Sequence, residues 1–260
     1  MNLDAVLEQT QWDLFWLPAD VTVTDRPEAL YLACPRDEGY LNAVLRVRAD
    51  AARVPALVAE VDGAHRAVHS RWMLAGESRH PALPAALARA GYAVTHEHFA
   101  YTIAVGAYAP RASPSVAVRA VATLDDLRAC KAVAARAFDR PLAHDDATDR
   151  GELAACTAAD ARVLRFVARD AATGDALASG GLTVFAAQRF GLLWAGGTAP
   201  EARGRGAYAA LVAARVAAAR ARGLTHVGLY ARVGTAAPIV EANGFRRGGP
   251  MTYWERPPRG

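Results

Sequence analysis

The stretch TAPEARGRGAYAAL, residues 198–211, decides how the rest of the chain is read. Gly204 and Gly206 alternate with Arg203 and Arg205, Pro200 stands three residues before the first arginine, and alanine-rich sequence of helical character follows. The run before it, RFGLLWAGGT (189–198), reads as a strand. A strand ending at Thr198, a glycine loop and a helix starting near Gly206 would point successive backbone N–H groups inward and add the partial positive charge of a helix start. Such a loop holds a phosphate or a diphosphate. Its glycines let the backbone approach the ligand, and Arg203 and Arg205 can add charge-assisted contacts. The plainer reading is a strand-to-helix turn with solvated arginines, and a lone G-x-G does not choose between them.

GRGAYA also satisfies the dinucleotide fingerprint G-x-G-x-x-A. Context argues against it. That fingerprint needs an acid at the end of the next strand, and LTHVGLYARV (224–233) has none. Only about fifty residues follow the motif, too few for a doubly wound sheet.

Around this loop the C-terminal segment reads β-α-(α)-β-β-β-α-β-α-β. It opens on the strand VAVRAV, and TLDDLRACKAVAARAF follows as a helix capped by Thr123, with Asp126 three residues on. RVLRFVARD and ALASGGLTVFAAQ form a hairpin across AATGD. GAYAALVAARVAAARARG is a helix stopped at Gly223, LTHVGLYARV a strand, AAPIVEANGF a short helix ending at Gly244, and MTYWERP a last strand. YAPRASPSV (108–116) reads as a linker, placing one domain at 1–108 and another at 115–260. The first is a weaker echo of the second. GYLNAVLRVR and AVHSRWML read as strands, ARVPALVAEVDGAH and PALPAALARAGY as helices, and TIAV as a strand's end. ALARAGY (86–92) matches PIVEANGF (238–245), each a helix ending in glycine plus an aromatic, which suggests an imperfect duplication lacking the hairpin half.

Composition narrows the function. The 260 residues are 53% hydrophobic and 22% charged, as in a globular protein with a sizeable core. No run of 18 apolar residues occurs and the N-terminus carries acids where a signal peptide needs basic residues, so the expectation is a cytosolic protein without membrane contact. The three cysteines are scattered, and the one H-x-x-x-H spacing among the seven histidines, His65 with His69, runs past the end of a helix, so no metal site is expected. Residues 1–110 hold 9 Arg against 13 acidic residues, a net of −4, whereas residues 111–260 reach +8. The basic portion suits an anionic ligand. Its arginines are scattered, without a basic run or interleaved aromatics, so nucleic acid is not the expected partner.

On these residues the segment 115–260 resembles the GNAT family of acyl-CoA-dependent N-acyltransferases. The family's loop has the pattern R/Q-x-x-G-x-G/A after a strand and a V-x-P-like turn. Thr198-Ala199-Pro200 matches the turn, Arg203 and Gly206 the loop, and Ala207-Tyr208 its end, with Tyr208 where the family prefers glycine or alanine. The resemblance implies an α/β fold of the GNAT kind in two lobes, with a mixed sheet splayed between the strands 191–198 and 224–232. It implies acetyl-CoA as co-substrate, its diphosphate at Arg203, Gly204, Arg205, Gly206, Ala207 and Tyr208 and its pantetheine along Gly196, Gly197 and Thr198. The first half has no such loop after NAVLRV and looks like a degenerate GNAT repeat that shapes the acceptor site, as in tandem enzymes of this family.

The reaction implied is attack of an amine, on a small molecule or a protein, upon a thioester. AGG is weak strand sequence, so a bulge that frees backbone N–H groups is expected there. The family's acidic tyrosine, four residues before the glycine of G-F, is replaced by Val240, and LLWAGGT holds no carboxylate to serve as base. Tyr230 and Thr235 are the candidate catalytic residues, each with a plainer reading as core aromatic or helix cap. His144, Asp145, Asp146 and Glu152 lie in the segment that borders the acceptor in the family, or are solvated. His226, Trp72 and Trp194 read as packing residues. An acyl-CoA-binding module without catalysis stays open beside the enzyme, as does a homodimer.

Overall fold

The computed structural model describes residues 2–110, 113–142 and 145–259. The N-terminal segment folds as α1 (Leu3–Gln9), β1 (Thr22–Arg26), β2 (Ala29–Ala33), β3 (Ala43–Val47), α2 (Val54–Ala64), β4 (Ser70–Ala75), α3 (Leu83–Arg89) and β5 (Ala93–Ala104). The C-terminal segment follows as β6 (Val116–Ala120), α4 (Leu124–Phe138), α5 (Asp146–Thr157), β7 (Val163–Asp170), β8 (Ala176–Phe185), β9 (Phe190–Thr198), α6 (Ala207–Ala221), β10 (His226–Arg232), α7 (Ala236–Ala242) and β11 (Arg246–Arg256). The second series is the order read from the sequence. The first contains an antiparallel hairpin, β1 with β2, that the sequence reading left out. The first half therefore does not lack a hairpin: β1-β2-β3-α2-β4-α3-β5 repeats the order β7-β8-β9-α6-β10-α7-β11.

Two compact units result, and they are drawn differently from the segments 1–108 and 115–260. The first takes Met1–Ala100, Tyr230–Ala237 and Gly248–Gly260, and the second Tyr101–Leu229 and Pro238–Arg247. The physical reason is strand pairing. β11 is antiparallel to β4, from Met251 opposite Ala75 to Arg256 opposite Ser70, so the last strand of the chain completes the first unit.

The first unit orders its strands β1-β2-β3-β4-β11 with the start of β5 beside β11. β3 and β4 are parallel over only two residue pairs. Helices α2 and α3 cover one face with Val54, Leu57, Val61, Leu83 and Leu87, packed on Tyr31, Val44, Trp72 and Leu74. Each such side chain contributes about 1.5–3 kcal/mol by leaving water. Trp72 is fully buried and meets Tyr92 edge-on at 6.2 Å, a packing role. The echo at the helix ends is exact in its hydrogen bonds. Gly91 has φ 80° and Tyr92 N–H donates to Leu87 O, while Gly244 has φ 82° and Phe245 N–H donates to Val240 O. Both helices stop in the same left-handed glycine motif.

The second unit orders its strands β10-β9-β8-β7-β6, with the end of β5 beside β10. β6 to β9 are successively antiparallel, whereas β9 and β10 are parallel. α4 starts as its sequence requires: Thr123 caps it by accepting from Asp126 N–H at 3.2 Å. Asp126 does not close the box. Its buried carboxylate takes Arg119 instead. α6 buries Leu211, Val212, Val216 and the smaller Ala207, Ala210 and Ala219.

Candidate functional site

The loop between β9 and α6 is built by its two glycines. Gly204 has φ 77° and Gly206 φ 76°, both in the left-handed region that a side chain disfavours. Gly206 is the N-cap of α6, and no side chain caps it, so the first N–H groups of a 15-residue helix have no capping acceptor. A Cβ on Gly206 would stand 2.5 Å from Ser113 Oγ. Arg203 is exposed on the loop. Arg205 is not free: its guanidinium is hydrogen bonded to the Asp170 carboxylate at the end of β7. Asp170 also accepts from the backbone N–H groups of Ala172 at 2.8 Å and Thr173 at 3.1 Å. Those bonds and Arg205 hold its carboxyl below the usual range. Arg205 thus braces the loop through Asp170, at the position where a charge-assisted anion contact is expected.

β9 carries the expected bulge. Ser179 faces Gly197 and Gly181 faces Trp194, so Ala195 and Gly196 together oppose Gly180. Ala195 sits at φ 45°, which costs an alanine about 1–2 kcal/mol. The pleat alternates. A Cβ on Gly197 would meet Ala137 and Phe138 of α4 at 2.8 and 3.0 Å, while one on Gly196 would meet Tyr208 and Arg215 of α6 at 3.0 and 3.1 Å. The ladder of β9 with β10 runs only from Phe190 to Leu192. From Leu193 to Thr198, among the described residues, β9 is paired on its β8 side alone. The hydroxyl of Thr198 is buried without a hydrogen-bond partner among the described residues.

The other sequence candidates are placed as follows. Tyr230 lies in the first unit, packed with Met73, Ala75, Met251 and Tyr253. Burial, with the carboxylates of Glu8 and Asp4, pushes its phenol far above the ordinary value, so it keeps its proton. Thr235 is exposed and its hydroxyl donates to Arg232 O at 3.4 Å. His144 lies outside the described residues. Asp145 caps α5 by accepting from Thr148 N–H, Asp146 pairs with Arg128, and Glu152 pairs with Lys131 and Arg165. Trp194 fills the space over Gly181 and donates to Thr183 Oγ1 at 2.9 Å. His226 contacts the Thr225 hydroxyl at 3.1 Å. Val240 is fully buried.

Three groups escaped the sequence reading. Arg215 of α6 is wholly buried beneath the bulge. Tyr101 donates to Glu241, one residue past Val240, and burial with that carboxylate pushes its phenol up to about 12. In the first unit His96 and His98 of β5 lie near Glu255 and Tyr253 of β11, and burial pushes His98 down to about 4. The signal for the last pair was present: H-x-H in VTHEHFAY puts both rings on one face of a strand. Among the described residues no cluster of three His, Cys, Asp or Glu suits a metal, and no helix is long and apolar enough to cross a membrane.

No protein-family model matches this sequence, and no curated protein does. Solved structures do. A GCN5-related N-acetyltransferase from Kribbella flavida is 18% identical, covers 100% of this chain and 97% of its own, and superposes with a TM-score of 0.69. Another from Sphaerobacter thermophilus is 17% identical over 97% of this chain and 86% of its own, with a TM-score of 0.65. A tandem GNAT protein from the clavulanic acid biosynthesis pathway is 11% identical over 96% of this chain and 87% of its own, with a TM-score of 0.60. The fold is that of the GCN5-related N-acetyltransferases, and the likeness extends over both halves of the chain.

Proposed function

We propose that this chain is an acyl-CoA-dependent N-acyltransferase that moves an acetyl group to an amine of a small molecule or a protein in the cytosol. We take the first half to be a degenerate repeat that binds no CoA. The observation that carries the reading is the uncapped start of α6, reached through two left-handed glycines from a bulged strand with one unpaired edge. In this fold, that combination supports a diphosphate at Arg203–Tyr208 and an extended amide chain along Gly196–Thr198.

The residues fit such a ligand. Among the described residues no side chain caps the N–H groups that open α6, and they would offer an anion a helix's partial positive charge. Among the described residues, nothing beyond its chain neighbours lies within 4 Å of where a Gly204 Cβ would stand, which leaves room for a ligand at the backbone. Bound acyl-CoA supplies a thioester, an acyl group already activated toward amines. Backbone N–H groups freed by the bulge at Ala195–Gly196 would donate to the thioester oxygen as it gains charge, an effect of about 3–4 kcal/mol when well aimed. Holding both reactants would supply much of the remainder. α7 offers Val240 where the family has a proton donor, so departure of sulfur does not rely on a side chain at that place. Release of free thiol from acetyl-CoA, measured against a panel of small amines and peptide N-termini, tests the reading. An acetylated product identified by mass supports it. Tight CoA binding with no turnover on any amine would favour a binding module instead.

A further inference from the structure

Arg215 is the one charged side chain of α6 that is fully buried, and it has no carboxylate partner among the described residues. Nε donates to Leu211 O at 3.2 Å and Nη1 to Gly181 O at 3.3 Å. Among the described residues Nη2 meets no acceptor at good hydrogen-bond geometry, and Tyr208 is the polar side chain beside it. The side chain runs back toward the start of its helix, as helical side chains do, and so points at the end of α6 that carries the loop. Two glycines make the room. A Cβ on Gly180 would lie 3.0 Å from Nη1, and one on Gly196 3.1 Å from Nη2 and 3.3 Å from the Tyr208 hydroxyl. Burial weighs against the charged guanidinium, and the groups that favour it are two phenols, Tyr208 from its own helix and Tyr108 from the segment after β5. Burying a cation so incompletely paired is unfavourable, and replacing it with an apolar side chain is commonly neutral or stabilising. The sequence nevertheless thins both β8 and β9 with glycine at this point.

We infer that Arg215, steadied by Tyr208, is a positioning residue that places a fixed positive charge beneath the β9 bulge to favour the thiolate of CoA over its thiol. The inference rests on the reading that the pantetheine arm follows Gly196–Thr198. In the transfer step the amine nitrogen bonds to the carbonyl carbon and the C–S bond breaks. Its electron pair stays on sulfur, and the ammonium proton passes to solvent. A fixed charge there lowers the barrier to that departure without giving up a proton. It accounts for how α7 can have valine at position 240 and for a tyrosine standing where a small residue is expected in the loop.

The test needs no acceptor. CoA is bound to the full chain and its thiol titrated by the ultraviolet absorbance of the thiolate, with the desulfo-CoA complex as reference. Burial raises Cys130, to about 12, and Cys156, and the desulfo-CoA reference subtracts the chain's own thiols, Cys34 included. In the unmodified chain the bound thiol should titrate about one unit below the ~8.5 of a free thiol. Arg215→Met removes the charge and keeps the bulk, and Arg215→Gln serves if the methionine variant does not fold. Either should move the midpoint up by about one unit while CoA affinity changes less than about threefold. Arg215→Lys should keep the low midpoint. Equal midpoints in the unmodified and charge-free chains, with CoA bound to both, would remove the inference and leave the functional reading standing. CoA binding that survives Gly206→Asp unchanged would remove both.

Discussion

In the first unit β3 runs into α2 through residues 48–53, and in the second β9 runs into α6 through residues 199–206. Both strands are bulged, β3 at Leu45 and β9 at Ala195–Gly196, and both have a short parallel ladder on one side. The surroundings differ. Around β3 the chain satisfies itself: Trp12 Nε1 donates to Leu45 O at 3.1 Å, and Val47 N–H donates to Ser78 Oγ at 3.2 Å. The Asp50 carboxylate accepts Arg53 N–H at 2.8 Å, and Pro55 occupies the first turn of α2, where it has no N–H to offer. Around β9, among the described residues, no side chain caps α6, whose N-cap is a glycine, and a buried arginine lies beneath the bulge. One scaffold used twice is closed by its own side chains in one copy, and the proposed CoA site lies in the other.

The largest effect should come from closing the open copy. Gly206→Asp places a side chain at φ 76°, against Ser113, and a negative charge at the helix start. CoA affinity by calorimetry should fall more than about 100-fold, since strain, displacement and like-charge repulsion act together. The reverse change, opening the closed copy, should harm stability without creating a site. Ser78→Ala strips Val47 N–H and the buried Glu8 carboxylate of a partner, for a loss of about 1–3 kcal/mol in urea unfolding.

A pH effect of similar size belongs to the first unit alone. His98 is held down to about 4 by burial and by the positive potential of His96, Arg232 and Arg71, with Tyr253 edge-on at 5.4 Å. The unfolded chain therefore takes up its proton first as pH falls. Stability should be full above about 6.5 and decline by about 2 kcal/mol down to about 4, allowing for the ring's partial exposure. His98→Gln should remove that part of the slope in unfolding curves collected across the interval. The smallest effect should be that of Arg205→Ala. Because Asp170 already engages this guanidinium, the variant loosens the loop more than it removes a ligand contact, and CoA binding should weaken by about 1 kcal/mol.

Much of the second unit could be read from the chain because its signals are local. Thr123 three residues before Asp126, glycine past the ends of α6 and α7, and the weak strand AGG each specify backbone that the structure adopts. The hairpin β1–β2 was not legible, since VTVTD is half exposed and its turn, Pro27-Glu28, lacks the asparagine or glycine that marks a tight hairpin. The compact units were not legible either: nothing local in MTYWERP states that it pairs with β4, nearly 180 residues earlier. Arg215 was hidden for a third reason. An arginine in an alanine-rich helix reads as solvated, and only Gly180 and Gly196, distant in sequence, show that space was kept for it.

Counting bound CoA tests the contrast between the two copies most directly. Calorimetric titration of CoA into the full chain should give one site per chain, lost in Gly206→Asp and kept in Ser78→Ala. Two sites per chain, or a single site that survives Gly206→Asp, would contradict the account.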